Sequence, residues 1–289
     1  MGREWPLVAF TVLGQAAIGV YLCAGIPLFL SEGPVGRGPD GPARMTLVLA
    51  VLGLMAAAIA LSVFHLHHPV RAYRILSNLG SSWLSREILF ELVFMGMAAL
   101  LGFCEWRRVG SPAFLKALFV LGGLAGILLL VAMSRLYLIP SIPAWNRVST
   151  PLSFLLTAAV LGTSAAAMLS GPRGDLSPGS GPFLILAFWS LVASLLNSVL
   201  GAPVHGLLAA KPGPSLRPPA HGSALFHAAR ILFLTGGGLI LAAWLAAGER
   251  KGPTAAPAPV MLAVVLGLAT AAEINGRILF YGLSGRTQA

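Results

Sequence analysis

Charge is what this sequence has least of. Asp and Glu together number 9 in 289 residues and Lys and Arg 19, so charged residues make up 10% of the chain against 57% hydrophobic. No soluble domain covers its surface with so little polarity, and a mean hydropathy of +0.85 places the chain among integral membrane proteins. Cysteine is nearly absent as well: Cys23 and Cys104 fall in or beside apolar runs, without CxxC spacing. That excludes a disulfide framework and any cysteine-borne zinc or iron–sulfur site, and leaves both thiols as small buried hydrophobes. The polar-every-second-residue alternation of an outer-membrane barrel is missing, so helices remain as the way to satisfy the backbone in lipid. No small-residue cleavage site leads from the N-terminal run into a polar domain, which makes that run a first helix that stays. Despite a formal net charge of +10, no basic soluble segment exists to hold nucleic acid.

What is present is a series of long apolar runs at 7–30, 45–64, 88–104, 114–134, 152–170, 182–201, 231–247 and 258–276. Each is near the roughly 20 residues that cross the hydrocarbon as a helix. The expected fold is therefore all-α, a single domain over 1–289 built as a bundle of eight transmembrane helices. An even number of spans puts both termini on one side, here called face A. Face A also receives the connections 65–87, 135–151 and 202–230, the last rich in proline and expected to order only on docking a partner. Face B receives 31–44, 105–113, 171–181 and 248–257.

The two faces differ. All 6 histidines (His65, His67, His68, His205, His221 and His227) fall on face A. A pair of b-type haems relaying electrons across a bilayer needs axial ligands at both depths, which argues against a transmembrane haem wire and leaves open only a single haem near face A, held by His65 with His205 or His227. Any electrons handled here must arrive and leave near face A. Lys and Arg do not settle orientation: face A carries more in total, face B more per length of loop, including Arg107-Arg108 and Arg250-Lys251 at helix ends.

Polar residues in or beside the runs are informative because a charge at a helix centre costs roughly 2.5–3.5 kcal/mol. They are Gln15, Glu87, Glu91, Arg135, Tyr137, Asn197, Arg230, Glu273 and Arg277, nearly all toward face A. Glu273 and Arg277 are one turn apart and can pair, with Tyr281 a further turn along; the group reads as a structural tie or a proton path. Glu87 and Glu91 are also one turn apart but alike in charge, so either one keeps its proton or solvent lies between them. His65, before Pro69, reads equally as a cap on a helix end. Gly14, Gly19 and Gly236-Gly237-Gly238 suit close helix packing. Trp5, Trp83 and Trp145 on face A, and Trp106 and Trp244 on face B, suit aromatic belts.

Several of these segments together resemble one family. Glu4-Trp5-Pro6-Leu7 and Phe10-Thr-Val-Leu-Gly14-Gln15 open the chain; His65-Leu66, Pro69-Val-Arg71-Ala72, Leu84-Ser85 and Glu87-Ile88 follow. Arg135-Leu-Tyr137, Pro143-Ala-Trp145 and Thr150-Pro151 come next, and Glu273-Ile-Asn-Gly276-Arg277-Ile-Leu-Phe280-Tyr281-Gly282-Leu283 closes the chain. In these residues, at both ends and in their spacing, the chain resembles the membrane-anchor subunit of the dimethyl-sulfoxide-reductase family of molybdoenzyme complexes. The resemblance implies a haem-free and metal-free subunit that binds menaquinol as substrate. It also implies a four-cluster iron–sulfur subunit and a molybdopterin catalytic subunit docked on the His65/Glu87 face. The residues matching His65 and Glu87 are the ones that family associates with quinol oxidation, and both termini face the periplasm of a bacterial or archaeal cytoplasmic membrane. This chain departs from the family pattern at His67, His68, Arg86 and Glu91.

Chemistry and resemblance agree on one mechanism. Quinol oxidation releases two protons and two electrons, which calls for proton acceptors, nearby positive charge and a short route to a redox centre. His65 and Glu87 suit the first role; Arg71, Arg86 and Arg135, with Tyr137, complete the expected quinol-binding set. Glu273, Arg277 and Tyr281 are structural or proton-path candidates. A polysulfide-reductase-type quinone-interacting anchor running in either direction shares these features. A secondary transporter would need inverted repeats and broken helices at the midplane, of which the sequence shows no convincing sign.

Overall fold

Each apolar run forms one helix. The computed structural model describes residues 5–30, 41–65, 78–170, 180–210, 223–251 and 259–282. In them lie α1 (Trp5–Leu30), α2 (Gly41–His65), α3 (Trp83–Arg107), α4 (Pro112–Leu136), α5 (Ser149–Ser170), α6 (Ser180–Ala210), α7 (Ser223–Lys251) and α8 (Pro259–Gly282). All 8 are long and apolar enough to cross a membrane, and the described residues contain no strand.

The ends of these helices follow local chemistry. Ser82 caps α3, accepting from the Ser85 N–H at 3.3 Å, and Ser111 caps α4 before Pro112. Between α3 and α4 the chain reverses through Arg108 (φ 55°) and Gly110 (φ 99°), a tight hairpin on face B.

Three boundaries differ most from the hydropathy reading. α6 continues to Ala210 through Pro203, and α7 starts at Ser223, so only 211–222 of the proline-rich connection falls outside the described residues. Proline ended the apolar run but not the helix, a tolerance that membrane helices share. Arg230, expected to open the seventh helix, sits two turns inside it, and α8 runs on to Gly282 past Arg277. In both cases the charge that closes a hydropathy window turns inward to partners on neighbouring helices.

α1 and α5 lie side by side at the centre. α2, α3 and α4 gather on the α1 side, while α6, α7 and α8 gather on the α5 side, with α8 also touching α1. The central crossing is backbone on backbone. A Cβ on Gly19 would run into the Ala158 carbonyl and Gly162 Cα, and one on Gly162 into the Gly19 backbone. Close approach of this kind is how membrane helices gain packing energy where water supplies none. Gly19 therefore meets the packing role expected of it, whereas Gly14 and Gly237 make ordinary side-chain contacts and Gly238 has nothing within 4 Å.

At the face B end a buried ion pair joins α2 to α3. Arg44 donates through Nε to Glu105 Oε1 at 2.8 Å and through Nη2 to Glu105 Oε2 at 3.1 Å, with both side chains at 4% exposure or less. By sequence alone Arg44 reads as membrane-flanking charge and Glu105 does not stand out.

Two stability tests follow from these contacts. Gly19→Ala should lower the stability of the detergent-solubilised protein by about 1–3 kcal/mol, whereas Gly53→Ala, with open space around it, should raise it by roughly 0.5–1 kcal/mol. Arg44→Met should cost about 3–5 kcal/mol by stranding a buried carboxylate, and Arg44→Met with Glu105→Leu should recover most of that loss. Thermal or denaturant unfolding of the four variants measures both.

Candidate functional site

The cap at Ser82 starts α3 so that Glu87 and Glu91 project inward one turn apart. Glu87 is 3% exposed and Glu91 6%, and each leaves a carboxyl oxygen, Glu87 Oε2 and Glu91 Oε1, with no hydrogen-bond partner. Unpartnered carboxyl oxygens this deep are costly in a resting fold and are natural acceptors for a ligand hydroxyl.

Tyr137, which ends α4, faces them. Its hydroxyl accepts from Tyr281 Oη at 2.8 Å. The two phenols sit in an aromatic box. Tyr137 lies edge-on to Trp145 and Phe280, whose rings stack on each other at 5.2 Å, and Phe154 closes the side. Trp145 Nε1 donates to the Phe280 carbonyl at 2.8 Å, and Thr150 Oγ1 donates to the Trp145 carbonyl at 2.6 Å. Trp145 is thus a buried clamp between the 137–148 connection and α8, not the belt residue its position suggested. Burial, the adjoining Tyr281 phenol and the Glu87 carboxyl all disfavour the phenolate of Tyr137. Against the opposing pull of Arg277, they hold its hydroxyl well above the ordinary phenol range. Tyr137 is therefore a neutral hydroxyl that can give or take a hydrogen bond beside Glu87.

Below the phenols lies a second polar group. Arg277 donates through Nη2 to Gln15 Oε1 at 2.7 Å and to Thr157 Oγ1 at 3.4 Å, and its guanidinium stacks 3.8 Å from the Phe154 ring centroid. Glu273 accepts from Thr157 Oγ1 at 2.7 Å and from Ser194 Oγ at 2.8 Å, and pairs with Arg230 Nη2 at 3.4 Å. Glu273 lies roughly 14 Å below the end of α8 at 1.5 Å per residue. The expected Glu273–Arg277 pair does not form directly. The two are bridged by Thr157 instead, and Glu273 takes its cation from α7. The reason is geometric: α8 faces α1, α5 and α7 at this level, and each charge reaches across to a different neighbour rather than along its own helix. Gly276 makes room for this, since a Cβ there would collide with the Arg230 guanidinium.

The site residues expected from sequence therefore divide into groups. Glu87, Tyr137, Tyr281 and Arg277 form one continuous group, joined to Glu273 through Thr157. Arg86 and Arg135 come together elsewhere: both guanidinia lie over the Trp83 ring, at 4.4 and 5.1 Å, and Arg86 also donates to the carbonyls of Leu79 and Gly80. They form an outer rim above α3, held to Trp83 rather than to Glu87. His65 is the last residue of α2, with its side chain outside the described residues, and Arg71, His67 and His68 lie outside them altogether. Among the described residues no group of His, Cys, Asp and Glu is arranged to hold a metal ion. Sequence reasoning missed Thr157 and Ser194, hydroxyls that disturb a hydropathy profile too little to stand out. It named Gln15 without its partner, 262 positions away.

Comparison with known proteins matches this arrangement to a family over nearly its whole length. The profile of the DMSO reductase anchor subunit family (DmsC) matches residues 1–283. The chain is 32% identical over 289 residues to the anaerobic dimethyl sulfoxide reductase chain YnfH of Escherichia coli, covering 97% of this chain and 95% of the relative. It is 30% identical over 282 residues to an anaerobic dimethyl sulfoxide reductase chain of Haemophilus influenzae, covering 97% and 94%. A shorter similarity, 30% over 138 residues and 44% of this chain, is to a sulfite dehydrogenase subunit of Allochromatium vinosum, where it covers 42% of that protein. With eight membrane-length helices and an end-to-end match, this chain belongs to the DMSO reductase anchor subunit family.

Proposed function

We propose that this membrane anchor also oxidises menaquinol, at a site on face A where Glu87 takes the hydroxyl proton. The observation that carries the reading is the Glu87 carboxyl. It is buried near the face A end of α3 with Oε2 unpartnered, and the neutral hydroxyl of Tyr137 lies beside it. A quinol hydroxyl hydrogen-bonded to that oxygen loses its proton to Glu87 as its electron leaves, with Tyr137 orienting the ring oxygen and His65, ending α2, hydrogen-bonded to the other quinol oxygen. Arg71, Arg86 and Arg135 supply positive charge around the mouth. Proton transfer to a positioned carboxylate is the usual contribution of a general base and accounts for about 10²–10⁴ in rate.

The electrons pass to an iron–sulfur subunit docked over face A and from there to a molybdopterin catalytic subunit. The relatives that match over their whole length are named as reductase chains, which favours quinol oxidation over quinone reduction. The partial likeness to a sulfite dehydrogenase subunit is the one observation favouring the opposite direction. Face A is the periplasmic side, so protons released from quinol and protons consumed in reducing the terminal substrate appear in the same compartment. The cycle then moves no net charge across the bilayer.

In the assembled complex, Glu87→Gln should lower the rate of menaquinol-analogue oxidation about 10²-fold or more while leaving assembly intact, and His65→Ala should do the same to a smaller degree. Parental rates in both variants would remove the site. Orientation has its own check: a C-terminal alkaline phosphatase fusion should be active and a C-terminal green fluorescent protein fusion exported dark, and the reverse pattern would put face A in the cytoplasm.

A further inference from the structure

Two-electron oxidation of a quinol releases two protons, and one carboxylate holds one. The site described above contains a second carboxyl that the proposed function leaves unused. Glu91 is 6% exposed, one turn below Glu87 on the same face of α3, with Oε1 unpartnered. Four positions apart on α3, the two buried side chains are neighbours on one helix face. No cation pairs with either among the described salt bridges, which involve Arg44 with Glu105 and Arg230 with Glu273. A structural carboxyl in hydrocarbon is normally fully hydrogen-bonded, as Glu273 is through Thr157, Ser194 and Arg230. Glu91 has the opposite character: it is as deeply placed as a structural residue and as incompletely bonded as Glu87.

We propose that Glu91 is the second proton acceptor of the quinol site, acting through Glu87. This rests on the reading of Glu87 as the group that deprotonates quinol. In the first step one quinol hydroxyl gives its proton to the Glu87 carboxylate and one electron leaves to the partner's iron–sulfur cluster. Glu87 hands that proton to the Glu91 carboxylate and is restored as a carboxylate. The second hydroxyl then gives its proton to Glu87 and the second electron follows, leaving quinone and two protonated carboxyls. After quinone departs, both protons leave to water on face A, Glu91 discharging through Glu87. Two protons and two electrons are accounted for, and the acid pair is regenerated.

Few other titratable groups face this pair. From the turn after α4 comes Tyr137, backed on α8 by Tyr281 and Arg277. Elsewhere on α4, Arg135 lies exposed on Trp83 and Lys116 lies at the far end over Phe29. Among the described side chains of α2 the one titratable group is Arg44, held by Glu105 at the face B end. On α3 itself Arg86 turns away to Leu79 and Gly80. His65, hydrogen-bonded to the other quinol oxygen, need not lose a proton for turnover, and the same profile measured in a His65→Ala complex checks this. The acid limb of the rate profile should therefore report the Glu87/Glu91 pair.

The test is the pH dependence of menaquinol-analogue oxidation by the purified complex, in wild type, Glu91→Gln, Glu91→Asp and Glu87→Gln. On the acid side, log kcat of the wild type should rise with a slope of two, because both carboxyls must be free of protons before turnover. Glu91→Gln should reduce the slope to one and lower kcat about tenfold or more with KM little changed. Glu91→Asp, which restores a titrating carboxyl, should bring back the slope of two. A wild-type slope of one overturns the proposal without any variant. So does a Glu91→Gln complex with parental kcat, or one that loses rate while keeping a slope of two, which marks a structural role. Should Glu91→Gln fail to assemble, the wild-type slope and that of Glu91→Asp decide. Glu87→Gln separates the two levels: full activity there removes the quinol site itself. An inactive Glu87→Gln beside an unaltered Glu91→Gln removes the role of Glu91 alone.

Discussion

The contact on which the rest depends is the crossing of α1 and α5 at Gly19 and Gly162. With no side chain at either position the two backbones touch, and the residues one turn or so toward face A, Gln15 and Thr157, come within reach of a third helix. Arg277 of α8 fills that position. In hydrocarbon a guanidinium has no water to bind, so it takes the Gln15 carbonyl, the Thr157 hydroxyl and the Phe154 ring face instead. The α1–α5 contact thus determines where the polar interior can exist, and Arg277 determines how α8 is set against it.

From Arg277 the order is passed upward. Tyr281 is one turn further along α8, its hydroxyl meets Tyr137, and Tyr137 is held edge-on by Trp145, whose indole N–H is fastened to the backbone of α8. The 137–148 connection is therefore clamped to the last helix, and the clamp brings the end of α4 over α3 at Glu87. The lower network of Glu273, Arg230, Thr157 and Ser194 is fully bonded at its carboxylate, and it supports the site from below. The upper pair, Glu87 and Glu91, is where bonding is left incomplete. That contrast within one buried region, between a carboxyl saturated by its neighbours and carboxyls left open, is the basis on which Glu87 and Glu91, and not Glu273, are proposed as proton acceptors.

Legibility from sequence followed how local each feature is. Helix number and class came from hydropathy, which is a property of short windows. That Glu87 and Glu91 share one face of α3 followed from their spacing, whereas the burial of that face came only from packing. Helix ends were less legible: α3 starts at Trp83, ahead of its apolar run, because the Ser82 cap and not hydropathy sets its first turn. Where a charge stopped the apolar run, as at Arg230 and Arg277, the helix went on, because its backbone bonds do not depend on whether the side chain is apolar. The Glu273–Arg277 pair was misjudged for the same reason: spacing along a helix says that two groups can meet, not that nearer partners on other helices are absent. Arg44 with Glu105 escaped notice because each, taken alone, looks like an ordinary membrane-edge charge.

By itself the sequence determined that this chain is a helical membrane protein with its histidines and most of its intramembrane charge near one face. Composition and the cost of burying charge are enough for that, and the family resemblance rested on residues spread along the whole chain. Tertiary structure decided which polar groups satisfy one another. Gln15 meets Arg277 across most of the length of the chain, Arg86 and Arg135 go to the rim on Trp83, and Glu91 stays open beside Glu87. Pairing in a bundle is set by which helices touch and at what height. That depends on a backbone contact between two glycines, which no local pattern specifies.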